Sequence, residues 1–206
     1  MPDKSKPYVF ASSNYKVASC AFKKNSNNDN KIYDYVNKKN SSFKATKGLY
    51  SGMRMSADGK YILAYDQALT YPGEITVWDA NTGKIMFTRT DITNDAHFTP
   101  DSKYVIAIVG KRVCKIGIDG KEIFKVDTPI EFFKLTVSAD SKYVYAKDYE
   151  GFVMISAETG KIEKKIPYKI SLFGHCIFTE DGSYVLLVVE DKKDKTLTLS
   201  VVETNW

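Results

Sequence analysis

Two histidines, His97 and His175, and four regularly spaced carboxylates, Asp58, Asp101, Asp140 and Asp181, are the residues of this chain whose types could do acid–base or metal chemistry. A general base needs a nucleophile and an orienting acid beside it, and a metal needs several ligands at compatible spacing. Neither histidine has such company in the sequence. No paired Cys or His spacing, Gly-rich phosphate loop or Gly-x-Ser-x-Gly elbow is present either. Both histidines stand in or beside short apolar segments and read as core or channel-lining residues. Cys20, Cys114 and Cys176 also fall in apolar segments and read as buried reduced thiols. The sequence therefore assigns no catalytic residue, no metal and no cofactor.

The carboxylates recur because a phrase recurs. Ser56-Ala57-Asp58-Gly59-Lys60-Tyr61 returns as Thr99-Pro100-Asp101-Ser102-Lys103-Tyr104, as Ser138-Ala139-Asp140-Ser141-Lys142-Tyr143 and as Thr179-Glu180-Asp181-Gly182-Ser183-Tyr184, with the aspartates 43, 39 and 41 residues apart. An Asp that opens a tight turn accepts hydrogen bonds from backbone N–H groups two residues on. Repetition of this kind is what structure produces, whereas an active site is a unique constellation, so these aspartates are expected to form turns.

The elements around the phrase are strands. From Ala96 to Thr128 a short strand leads into the turn, Tyr104 to Val109 forms a second, Gly110-Lys111 reverses the chain, Arg112 to Ile118 forms a third, and Asp119-Gly120 leads to a fourth at Glu122 to Val126. Stepping one period back from Ser56 recovers a degenerate first repeat around Ser12 to Val17, with strands expected at Tyr8 to Ala11, Val17 to Phe22, Ile32 to Val36 and Phe43 to Thr46. Asn40-Ser41-Ser42 fits a glycosylation acceptor but is expected to be only a turn. The fifth repeat runs through Tyr184 to Val189 and Thr196 to Val202, with no fourth strand after it.

Length and composition agree with one folded all-β domain: 206 residues, 43% hydrophobic, net charge +5 from 30 Lys plus Arg against 25 Asp plus Glu. No run of about 18 apolar residues offers a membrane span, and residues 1–7 lack the apolar stretch of a signal peptide, so a cytoplasmic location is expected. The paired lysines Lys23-Lys24, Lys38-Lys39, Lys164-Lys165 and Lys192-Lys193 scatter over both ends of the repeats. That argues against nucleic acid as the main partner.

The period, the Ser-Ala-Asp-Gly-Lys-Tyr turn and Val77-Trp78-Asp79 together resemble the WD-repeat and YVTN-type β-propellers over residues 8–206. The Trp-Asp pair occurs once, the preceding Gly-His pair is missing, and Gly174-His175 is out of register, which makes the resemblance that of a divergent member. It implies a β-propeller of about five four-stranded antiparallel blades, near 8–48, 52–90, 95–128, 134–167 and 175–206, with residues 1–7 as a tail and the last blade lacking its outer strand. Three ways of closing it stay open: strand addition by Met1 to Pro7, a larger propeller of which this is a part, or pairing of open blade edges with another chain.

The function implied is that of a noncatalytic scaffold or adaptor for other proteins. Inter-blade linkers carrying Ile130-Glu131-Phe132-Phe133 and Ile170-Ser171-Leu172-Phe173 lie on the face of the Asp66 to Glu74 loop, where their aromatics either pack between blades or form a contact face. Its residues would be Tyr71, Arg89, Phe132, Phe133, Phe173 and His175. A propeller enzyme of quinoprotein-like or lactonase-like type is the alternative, recognisable by carboxylates or histidines clustered at the channel mouth. An RNA-associated protein is the third reading.

Overall fold

The computed structural model describes residues 8–11, 16–20, 31–44, 52–65, 73–91, 95–109, 111–127, 134–147, 151–167, 175–179, 183–191 and 196–203. Strands and turns account for the regular structure among them. The first blade comprises β1 (Tyr8–Ala11), β2 (Lys16–Cys20), β3 (Lys31–Asp34) and β4 (Lys39–Ser42), and the second β5 (Gly52–Met55), β6 (Tyr61–Tyr65), β7 (Ile75–Asp79) and β8 (Ile85–Arg89). Blade three holds β9 (Ala96–Phe98), β10 (Tyr104–Ile108), β11 (Arg112–Gly117) and β12 (Glu122–Asp127), and blade four β13 (Lys134–Val137), β14 (Tyr143–Lys147), β15 (Gly151–Ser156) and β16 (Ile162–Pro167). Blade five has three strands among the described residues, β17 (His175–Phe178), β18 (Tyr184–Asp191) and β19 (Thr196–Glu203). Every sheet is an antiparallel meander in chain order, and the successive inner strands β1, β5, β9 and β13 are neighbours in space.

The second strands show why the blades need one another. In β6, β10 and β14 a half-exposed tyrosine is followed by four buried residues, so both faces of the strand are covered. Alternate side chains go to different cores. Ile62 and Ala64 join Ala18, Ile32, Phe43, Trp78 and Ala80 between blades one and two. Leu63 and Tyr65 join Val105, Ala107, Cys114 and Ile116 between blades two and three. Ile106 and Ile108 join Leu135, Val144, Ala146, Val153 and Ile155 between blades three and four.

The repeated phrase closes the hairpin between first and second strands with more bonds than an aspartate turn alone. The Asp140 carboxylate accepts from Lys142 N (3.0 Å) and from the Ser138 hydroxyl (2.7 Å), and that hydroxyl in turn accepts from Tyr143 N (2.9 Å). Ser56 with Asp58 and Thr99 with Asp101 make the same three bonds. The fourth position of the phrase also differs between blades in an informative way. Ser102 and Ser141 hold φ of 60° and 61°, where Gly59 holds 68°. A non-glycine residue there is strained. Its hydroxyl offsets this by accepting a bond from the preceding blade: Asp58 N to Ser102 Oγ (3.2 Å) and Asp101 N to Ser141 Oγ (3.4 Å).

The turns between third and fourth strands fix spacing at the outer rim. Gly83 and Gly160 have φ of 70° and 76°. A Cβ on Gly83 would strike the Ser42 carbonyl of β4, and one on Gly160 would strike Val126 and Phe124 of β12. Glycine thus serves both the backbone angle and the approach of the preceding blade.

Blade one departs from expectation at its rim. Asn40-Ser41-Ser42 is strand β4 and not a turn, and the fourth strand lies at Lys39–Ser42 instead of beginning at Phe43. The cause is Asp34, whose Oδ1 accepts from Val36 N (3.1 Å) and Asn37 N (3.0 Å) and so reverses the chain early. Phe43, released from the strand, is 4% exposed and packs against Trp78 with ring centroids 5.1 Å apart. Trp78 Nε1 donates to the Lys44 carbonyl at 3.0 Å, tying blade two to blade one.

Replacing Asp140 with Ala is expected to lower unfolding free energy by about 1 kcal/mol, the net value of a hydrogen bond or two at a half-exposed turn. Ser141→Gly is expected to be near neutral, because relief of strain offsets the lost inter-blade bond. Urea midpoints of the two variants check both, and an unshifted midpoint for Asp140→Ala contradicts the role given to the turn.

Candidate functional site

The polar centre of the described structure is Asp95, immediately before β9. It is 1% exposed. Its Oδ1 accepts from Ala96 N (3.1 Å) and from Arg54 Nη2 (3.2 Å), and its Oδ2 from Leu135 N (3.3 Å), with His97 Nε2 3.4 Å away. Arg54 lies on β5, His97 on β9 and Leu135 on β13, so one carboxylate links three consecutive blades at their inner strands. Arg54 adds a bond from Nε to the Ala96 carbonyl (3.0 Å) and lies against Tyr65, with Nη2 3.5 Å from the hydroxyl.

Register explains how these groups meet. Gly52, Asp95, Lys134 and His175 each stand four residues before the Ser or Thr of the turn phrase, at the far end of the inner strand, and Tyr8 holds the same place before Ser12. Arg54 and His97 stand two residues further along, on the same face of their strands. The residue between is the core residue: Met53, Ala96 and Leu135 are buried. Gly52 belongs to the site by its lack of a side chain, since a Cβ there would collide with the Tyr65 ring.

The charges respond to this packing. Burial works to raise the Asp95 pKa, but the hydrogen bond and charge of His97 and the charges of Arg54 and Lys134 prevail and hold it at about 2. His97 is lowered from its ordinary value, first by burial and further by Arg54 and Lys134, against the pull of Asp95. Tyr65 is raised by burial and by the Asp95 charge.

Of the residues expected at a contact face, Tyr71, Phe132, Phe133 and Phe173 lie outside the described residues. His175 is the first residue of β17, and its side chain is likewise outside them. Arg89 is placed. At the end of β8 it grips Asp91 through Nε (3.0 Å) and Nη2 (2.7 Å) and reaches Glu122 of blade three through Nη1 (2.9 Å). These bonds raise its pKa and make it a clip between the outer strands of two blades. Asp95 escaped the sequence reading because it lies outside the repeated phrase, in a polar linker. Its distance of four residues from Thr99, matching Lys134 and Ser138, was the available signal. His97, read as lacking an orienting acid, has one. Cys114 is buried and free, and burial pushes its thiol up to about 11, which makes it inert. Among the described residues no group of three or more His, Cys, Asp or Glu could hold a metal ion.

Five antiparallel sheets in succession, the first four neighbours at their inner strands, define a β-propeller, and solved structures agree. The chain is similar to hydrazine synthase of Kuenenia stuttgartiensis (TM-score 0.64, 12% identity, 92% of this chain and 68% of that one). It is similar to the dihydro-heme d1 dehydrogenase NirN (TM-score 0.66, 17% identity, 97% of this chain and 45% of that one). It is similar also to the β-propeller domain of Cps50 (Swd1) from Myceliophteria thermophila (TM-score 0.69, 14% identity, all of this chain and 73% of that one). At such identities the likeness is one of fold, and it spans less than half of NirN. No family model and no curated protein matches the chain.

Acid should destabilise the protein in two windows. The unfolded chain takes up a proton at His97 before the folded protein does, so stability falls as pH drops below 6.5, the ordinary value, toward the lower folded value. Asp95 stabilises above 3.8, and its contribution is lost as pH falls from there to about 2. Arg54, Tyr65 and Lys134 are the other ionisable groups facing the pair. Melting temperatures from pH 8 to 2 should show both declines, and His97→Gln should abolish the upper one; an unchanged profile contradicts this assignment.

Proposed function

We propose that the protein is a noncatalytic, WD-like propeller that binds other proteins in the cytoplasm as a subunit of a larger assembly. The observation that carries this reading is the outer surface of blade five. In blades two to four the third strand, β7, β11 or β15, is mostly buried and has a fourth strand beside it. In β19, Leu199 is 65% and Val201 61% exposed, and no strand pairs with its far edge among the described residues. Val201 pairs with Leu186, so Leu199 and Val201 stand in solvent on one face of the β18–β19 pair while Val185, on the other face, is fully buried.

An eight-residue edge with apolar side chains at every second position suits an extended segment of another protein added as a fourth strand, held by main-chain bonds and by pockets for alternate residues. The linker aromatics Phe132, Phe133 and Phe173, with Tyr71, His175 and Arg89, remain the proposed second contact face.

A different reading is favoured by one observation. His97 beside the buried Asp95 has the pairing of an oriented base, as in a lactonase-like propeller enzyme. It calls for hydrolysis of a lactone substrate that His97→Gln abolishes.

Leu199→Lys with Val201→Lys should leave the melting temperature within a few degrees of the parent, since both side chains are exposed. The pair should abolish recovery of partners in affinity purification. Undiminished recovery with the same partner set would refute the fifth-blade edge, and Phe132→Ala with Phe173→Ala tests the linker face in the same assay.

A further inference from the structure

Among the described residues, the Asp95 cluster holds more positive than negative charge. Asp95 is saturated by its four neighbours, three firm donors and His97, and it is the one carboxylate among the residues described in this cluster. Around it stand Arg54 and Lys134, both near enough to shape the charge of Asp95 and of His97. Lys134 is the residue before Leu135, whose N–H bonds Asp95, so its charge adds to that of Arg54 at one end of the inner strands.

Donors remain available. Arg54 commits Nε and Nη2 to the protein, and its Nη1 has no acceptor among the described residues. Its side chain is 35% exposed. Lys134 is exposed, and its Nζ has no partner among the described residues. His97 is 22% exposed; with its one N–H at Nε2 turned to Asp95, it keeps Nδ1 as an acceptor. Two free donors thus come from β5 and β13, strands that the same carboxylate ties together through Arg54 and Leu135. Because Asp95 orders Arg54 beforehand, a ligand need not pay to order it.

We infer that this end of the inner strands is a binding site for a small oxyanion carrying two or more negative charges, a phosphate group or a polycarboxylate, received by Arg54 Nη1 and Lys134. An acceptor-only, multiply charged group matches donors without a partner, and Arg54 supplies the directional contact. The inference is independent of the fifth-blade edge, which lies on a different strand and is apolar.

The test is titration calorimetry with inorganic phosphate, and separately with citrate, at an ionic strength held constant with sodium chloride. One saturable site is expected for at least one of the two, and the anion that saturates at the lower concentration identifies the class. Lys134→Gln should weaken that binding about fivefold, as for loss of one partly exposed charge contact. Lys103→Gln, an exposed lysine on the repeated turn, should leave it unchanged. Lys134 is exposed, so its variant is expected to melt as the parent does. Absence of saturation by both anions, or equal affinity in Lys134→Gln and parent, overturns the inference.

Discussion

Burial on both faces of the middle strands governs this molecule. A sheet with one apolar face needs a single partner layer, but β6, β10 and β14 have two, so each blade is stable only between neighbours. Full burial of a Val, Leu or Ile side chain is worth about 1.5 to 3 kcal/mol. Each inter-blade core contains eight or more buried residues, and these dominate the attraction. Such attraction has no direction. It would hold the blades together at many relative angles.

Direction comes from polar links placed at different radii. Near the inner strands Asp95 joins blades two, three and four; at the hairpin turns the Ser102 and Ser141 hydroxyls reach back one blade; at the rim Arg89 grips Glu122, and Lys115 Nζ donates to the Ala157 carbonyl at 2.7 Å. Links at several radii between the same two sheets leave little freedom to pivot. The strained serines show the exchange involved: a glycine would sit more easily at φ near 60°, yet it would give up the bond to the neighbouring blade.

Much of this could be read from the chain because it is written several times. Four copies of one turn phrase located the hairpins, and the interval between them identified the class of fold. What occurs once was harder to see. Asp34 shortens a turn by side-chain bonds and moves β4 forward, a local competition that strand propensity in Phe43 to Thr46 does not register. Asp95 draws its importance from groups about 40 residues away on either side, Arg54 and Leu135. Four of the six residues expected at the contact face belong to segments outside the description, and Arg89 meets its partners only because two outer strands come together in space.

The fifth blade is longer than the others along the strand direction. β18 and β19 have eight residues each, against five in β10 and six in β11, and β17 accompanies β18 only as far as Val188. Beyond it, Val189, Glu190 and Asp191 pair, among the described residues, with Thr198, Leu197 and Thr196 alone. At roughly 3.4 Å per residue that ribbon projects some 10 Å past its own sheet. Two strands without a third are marginal in water. Among the described strands, amide hydrogens of Val189 to Asp191 should therefore exchange with solvent sooner than those of β10 or β14, which have a strand on either side.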